Sequence, residues 1–139
     1  MKNGEFQKEY IAFLDGVLKR DAGIINANIK RKAGSIMERE ITDDIDGETA
    51  ISHFEVIKRY NNFTKVKYTL ETGRTHQLRV HSKYIGHPIL GDTLYGKACP
   101  FIQRQALHAF KISFIHPISK EKIILETKLP NDMQQLSSK

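Results

Sequence analysis

Phe63-Thr64-Lys65-Val66-Lys67-Tyr68-Thr69-Leu70 alternates in character, so Val66, Tyr68 and Leu70 share one face of a strand and Lys65 and Lys67 the other. Ahead of it, Asn61-Asn62 divides it from a second extended run, Ala50 to Tyr60. Asparagine tolerates the positive φ of a tight turn, so the two runs read as a hairpin. One face of that hairpin is for core and one for water or an anionic partner. Behind it, Thr72-Gly73 breaks the strand, and Thr75 is placed to cap a helix running from about His76 to Tyr84. Gly86 is placed to stop that helix. At about 100° per residue, Leu78, His81 and Ile85 fall on one stripe, and Arg79 and Lys83 on a neighbouring one.

Working outward, Tyr10-Ile11-Ala12-Phe13-Leu14, closed by Asp15-Gly16, is a short apolar run that suits a buried strand. Gly23 to Ile29 begins to alternate and reads as a weaker strand. Residues 30–47 are polar and end in Asp46-Gly47, which predicts a loop or hairpin tip. Gly86-His87-Pro88-Ile89-Leu90-Gly91-Asp92 carries too many breakers to be regular. His108, Phe110, Ile112 and Phe114 alternate with Ala109, Lys111 and Ser113 as a core-facing strand, and Ile123 to Thr127 is placed to pair back on it. Hairpin-linked strands with one principal helix between them predict an α+β domain on an antiparallel or mixed sheet.

The whole chain, 139 residues, is room for a single domain spanning 1–139, and its 40% hydrophobic content suffices for a core without metal or disulfide. No apolar run approaches the ~18 residues of a membrane span. One cysteine, Cys99, forms no intramolecular disulfide, which points to a reducing compartment, most simply the cytoplasm. The net charge of +6 is unevenly spread. Between residues 58 and 83, Lys58, Arg59, Lys65, Lys67, Arg74, Arg79 and Lys83 face Glu71 alone. Such a run is either a solvated basic face or a surface for phosphates, and charge alone does not separate the two.

The stretch Leu70-Glu71-Thr72-Gly73-Arg74-Thr75-His76-Gln77-Leu78-Arg79-Val80-His81 delivers two arginines, a glutamine and two histidines at the start of the helix. Helix N–H groups and guanidinium forks both favour phosphate or carboxylate. His76, His81 and His87 raise a metal question. The separation of His76 and His81 does not place both on one helical face, and no acidic helper stands among the three, so a metal site is not expected.

This stretch, with its continuation Ile85 to Gly96, resembles the signature of the RluA-type pseudouridine synthases. Lys8-Glu9-Tyr10-Ile11-Ala12 is similar to the family's Lys-x-Tyr-x-Ala strand, Leu107-His108-Ala109 through His116-Pro117 to its next strand, and Leu129-Pro130 to its closing segment. The resemblance implies the C-terminal half of the pseudouridine synthase catalytic fold, and isomerisation of uridine to pseudouridine in rRNA or tRNA without metal or organic cofactor. The target uridine is turned out of the RNA, an aspartate attacks, and the uracil detaches and is rejoined through carbon 5. Tyr10 is then the tyrosine against the flipped base, which helps remove the carbon 5 proton. Arg79 is the basic residue that pairs with the catalytic aspartate. Arg74, His76, Gln77 and Lys83 are placed for RNA contacts.

The family's aspartate belongs to a His-Arg-Leu-Asp-type motif upstream of the tyrosine strand, and no such motif occurs in this chain. Asp92, in Gly91-Asp92-Thr93-Leu94-Tyr95-Gly96, reads as structural. The expectation is a portion of a longer enzyme, inactive alone and lacking any N-terminal RNA-binding domain. The alternatives are a non-catalytic RNA-binding module resting on the 58–83 cations, and a domain that self-associates through an exposed sheet edge. For Arg79, a simple surface ion pair with Glu71 or another acid stands beside the catalytic reading.

Overall fold

The computed structural model describes residues 6–139. Eight strands and two helices follow in chain order: β1 (Phe6–Asp15), β2 (Ala22–Asn26), β3 (Ile29–Arg31), β4 (Arg39–Ile41), β5 (Ile51–Arg59), β6 (Phe63–Leu70), α1 (Gln77–Tyr84), β7 (Leu107–Ile115), β8 (Lys122–Glu126) and α2 (Asn131–Ser137). Six strands form one antiparallel sheet in the order β2-β5-β6-β1-β7-β8, and β3 and β4 form a separate two-stranded sheet. The fold is α+β, with α2 a second short helix that the sequence reading did not anticipate.

Strand β1 runs through the middle, paired on both edges and offering apolar side chains to both faces. Ala12, Phe13 and Leu14 are fully buried between β6 and β7. Tyr10 lies opposite Tyr68, and the Tyr68 hydroxyl meets Ser82 Oγ of α1 at 2.7 Å. The face of Tyr10, Val66, Tyr68 and Leu70 is therefore the one that α1 covers. Phe13 points the other way, into a cluster with Tyr60 and Phe63. There Tyr60 donates to the Ser137 carbonyl of α2, which buries Met133 and Leu136 in the same core.

Residues 30–47, expected as a loop or hairpin tip, carry the β3–β4 hairpin, with β3 beginning at Ile29. The weak strand expected through Ile29 ends at Asn26: Ala27 still donates to the Ala50 carbonyl, but Asn28 then accepts from Thr42 and Ile29 bonds with Glu48. The core-facing alternation expected from His108 to Phe114 is also corrected. Glu9 pairs with Lys111 but Tyr10 with Ala109, so Phe110 is an extra residue and the alternation reverses there. Phe114 then joins Phe6 on the face of Tyr10, while His108 lies opposite Ile11 and bonds Thr127 Oγ1 at 2.9 Å. Ser113 is the buried residue of that strand.

The irregular segment after α1 is pinned to the end of β1. Asp15 N–H donates to the Pro88 carbonyl and Leu90 N–H to Phe13, at 2.8 and 2.9 Å. Ala106 N–H then reaches the Leu90 carbonyl, so this segment acts as a short substitute strand. Gly91 makes the corner with φ +77, and a Cβ there would lie 2.1 Å from the Arg104 carbonyl oxygen. Among the described residues no helix is long and apolar enough to cross a membrane.

Gly91→Ala combines a left-handed backbone with a collision against main chain, which has little room to yield. It should lower unfolding free energy by about 2 kcal/mol or more in chemical denaturation. A loss under about 0.5 kcal/mol would show that the corner is not held as described.

Candidate active site

The turn from β6 into α1 is organised by one side chain. Gln77 Oε1 accepts from the Arg74 N–H and from Thr72 Oγ1, at 3.0 and 2.8 Å. Gln77 Nε2 donates to the Ile51 carbonyl and to Ser52 Oγ, at 3.1 and 2.9 Å. All four of its hydrogen-bonding positions are occupied inside the protein, and the residue is buried. Gln77, expected to contact RNA, holds the turn that presents its neighbours. Thr75 does not cap the helix either. His76 occupies the N-cap position at φ 56, with no side-chain cap bond.

From Gln77 the hydrogen bonds continue inward with a defined direction. His81 Nε2 lies 2.9 Å from the Ala27 carbonyl, which only accepts, so Nε2 carries the proton. His81 Nδ1 is then the acceptor for the Ser52 hydroxyl at 2.8 Å. Burial holds the His81 imidazole below its ordinary pKa, against the opposing pull of the Ala27 carbonyl. The imidazole is thus a neutral link between α1, β5 and the chain ahead of β3.

Arg79 sits on the outer flank of the same helix. Its Nε and one terminal nitrogen grip Asp92 through both carboxylate oxygens, each at 2.8 Å. Asp92 is fully buried and also accepts the N–H groups of Leu94 and Tyr95, at 3.1 and 3.2 Å. Burial pushes the Asp92 carboxyl up, but the Arg79 and backbone hydrogen bonds outweigh it and hold the group below its ordinary value. The other terminal nitrogen of Arg79 reaches His76 Nε2 at 3.2 Å, and the guanidinium lies over the Tyr95 ring. Three of its five N–H donors are so engaged, and two have no partner among the described residues. The sequence reading assigned Arg79 an acid from outside the chain, and the surface alternative gave it Glu71 or another surface acid. In the structure its partner is the buried Asp92, and Glu71 pairs with His53.

His76 accepts from Arg79 at Nε2, so its Nδ1–H donates to the Tyr95 hydroxyl at 2.8 Å. The same hydroxyl accepts the Arg39 N–H, also at 2.8 Å, tying the β3–β4 hairpin to the site. Burial, then the charges of Arg79 and Arg39, hold His76 below its ordinary pKa, so it is a neutral imidazole rather than a cationic phosphate ligand. His76, His81 and His87 each turn to different partners, and among the described residues no cluster of three metal-ligating side chains forms.

Tyr10, Arg74, His76, Gln77 and Arg79 line one open cleft of ≈ 320 Å³, completed by Leu70, Leu78, Gln105 and Leu107. Lys83 is not among them; it borders a separate hollow beside Lys32 and Arg39. Arg74 donates to the Thr49 carbonyl at 2.7 Å and pairs loosely with Glu48, remaining partly exposed. The Tyr10 hydroxyl has no hydrogen-bond partner among the described residues, and burial raises its pKa. Asp92, Tyr95 and Gln105 were missed as site residues. The signal for the first two was Asp92-x-x-Tyr95 after a glycine, the spacing at which an aspartate accepts from the backbone ahead of it.

The basic run from 58 to 83 does not form one face. Lys65 and Lys67 project from the side of the sheet opposite Tyr10, where Lys67 meets Glu9 and Glu55. Arg59 pairs with Asp21 and Lys58 lies over the Tyr60 ring.

The unfolded chain protonates His81 more readily than the folded one, so stability is fully present above the ordinary value of 6.5 and falls as pH drops below it. Denaturation midpoints should decrease between about pH 7 and pH 5, with a shallower slope in His81→Gln. An unchanged slope in that variant would remove His81 as the origin.

Among known proteins, a family model described as RNA pseudouridylate synthase matches residues 1–84. An uncharacterized RNA pseudouridine synthase of Bacillus subtilis (strain 168), YjbO, is 45% identical over 135 residues, covering 97% of this chain and 47% of its own length. A ribosomal large subunit pseudouridine synthase D of Zymomonas mobilis is 37% identical over 138 residues, covering 93% of this chain and 43% of its own. The solved structure of human RNA pseudouridylate synthase domain containing 1 superposes with a TM-score of 0.77 at 25% identity, over 96% of this chain and 65% of that one. The chain spans about half the length of the curated relatives it matches. The family match, the identities and the shared fold together place the chain in the RluA family of RNA pseudouridine synthases.

Proposed function

We propose that this chain supplies one wall of the uridine pocket of an rRNA or tRNA pseudouridine synthase, and that the nucleophilic aspartate comes from sequence outside these residues. The observation that carries this reading is Arg79. Asp92 fixes its guanidinium from one side, while two N–H donors have no partner among the described residues and Arg79 lines the same cleft as Tyr10. A guanidinium with a free edge pairs a second carboxylate and keeps it ionised. The half-buried Tyr10 offers a flat ring for a flipped base and an unpaired hydroxyl for the proton leaving carbon 5. Breaking the N1–C1′ bond, turning the ring and joining C5 to C1′ conserve every heavy atom, so the proteins' task is positioning and proton movement. Arg74 stands at the mouth for a phosphate. A purely RNA-binding role loses its main support, because the 58–83 cations divide between two faces and several are paired.

Tyr10→Phe separates chemistry from folding. Removing a hydroxyl with no partner should leave stability within about 0.5 kcal/mol of the parent. In a protein extended upstream to include the aspartate, the rate of tritium release from carbon 5 of labelled uridine should fall about a hundredfold or more. The 139-residue chain itself should release none. Turnover by the chain alone, or full activity of Tyr10→Phe, would overturn the assignment.

Self-association through the sheet edge follows from β8, whose outer side has no partner strand among the described residues and whose Ile124 and Leu125 are exposed. Light scattering should show mass rising with concentration, suppressed by Leu125→Lys. A monomer at all concentrations would refute it.

A further inference from the structure

A second groove lies between the turn after β1, strand β2 and the C-terminal end of α1. At ≈ 610 Å³ it is roomier than the ≈ 320 Å³ cleft at Tyr10. Its floor is the buried Leu18, Ile25 and Phe54, while Ile24 and Tyr84 stand at its walls 60% and 58% exposed. Apolar side chains held this open over a finished core do not serve the core itself.

The charged groups of the groove are of one sign. Lys19 and Arg20 line it and no acidic side chain does. The adjacent Asp21 is turned to Arg59, 2.7 Å away. His87 is set with its Nδ1 2.8 Å from the Asp15 carbonyl, so in the neutral ring Nδ1 carries the proton and Nε2 is an open acceptor. That placement depends on Gly16, where a Cβ would come within 2.9 Å of the ring. Asn26, also in the lining, offers a paired amide donor and acceptor.

A flat ring beside aliphatic walls, cations without a counter-charge, and a donor–acceptor edge together suit a planar heterocycle carrying phosphate. We propose that this groove seats one unpaired base of the RNA outside the Tyr10 cleft. Tyr84 stacks on the base, Lys19 and Arg20 hold its phosphates, and Asn26 and His87 meet its polar edge. The inference rests on the RNA reading above. Arg74, His76 and Gln77 lie at one end of α1 and Tyr84 at the other, about 12 Å apart at 1.5 Å per residue, so a few linked nucleotides join the two sites.

The test is fluorescence anisotropy of this chain with a labelled oligouridylate and with an abasic oligomer of the same sugar-phosphate backbone. Tyr84→Ala, at an exposed position, should weaken the oligouridylate about tenfold and leave the abasic oligomer unchanged. Lys19→Ala with Arg20→Ala should weaken both and reduce the salt dependence. If Tyr84→Ala binds as the parent does while Arg74→Ala binds more weakly, the groove is refuted and the RNA reading stands. Equal loss of both oligomers in Tyr84→Ala refutes stacking, and no binding by the parent chain at low ionic strength overturns groove and RNA reading together.

Discussion

The Arg79–Asp92 fork is the interaction on which the site depends. The segment following α1 has few regular hydrogen bonds of its own, and Asp92 is fully buried within it. An unpaired carboxylate there would be very costly, whereas this one accepts two guanidinium and two backbone N–H groups. The pair therefore does two things at once. It locks the irregular segment onto α1, and it fixes a guanidinium that lines the same cleft as the tyrosine of β1. Arg79 is neither a free surface cation nor an arginine waiting for its first partner.

Around that fork, polar groups are placed by relays rather than by isolated contacts. Thr72, Gln77, Ser52, His81 and the Ala27 carbonyl form one directional chain, while Arg79 donates to His76 and His76 to the Tyr95 hydroxyl, where the Arg39 N–H also converges. Each neutral histidine has one nitrogen donating and the other accepting, and protonation of His76 would set its Nε2–H against an Arg79 N–H. Buried networks of this kind specify one arrangement because a half-satisfied version is worse than none. Here the arrangement specified is the direction of α1 relative to the sheet.

Local patterns were legible where the physics is local. The alternation of Phe63 to Leu70 and the apolar run of Tyr10 to Leu14 identified the central strands, and the glycine-bounded segment around Thr72 to Gly86 identified the helix. Tyr10, Arg74, His76, Gln77 and Arg79 were picked out by resemblance and meet in one cleft. Their separate roles were not legible. Gln77 is consumed by backbone partners distant in sequence, and Lys83, one helical turn beyond Arg79, borders a different hollow. The reversal at Phe110 was hidden too, because a bulge belongs to a pair of strands and not to either one.

The sequence by itself determined the strand and helix types, the antiparallel α+β class and the residue kinds available for chemistry. These follow from side-chain periodicity and backbone preference within a few residues. Only the tertiary structure decided which charges meet. It drew Asp92 beneath Arg79, divided the 58–83 cations between two faces and left β8 at an edge. Those outcomes depend on which distant segments exclude water together, and burial sets both the cost of an unpaired charge and the strength of a paired one.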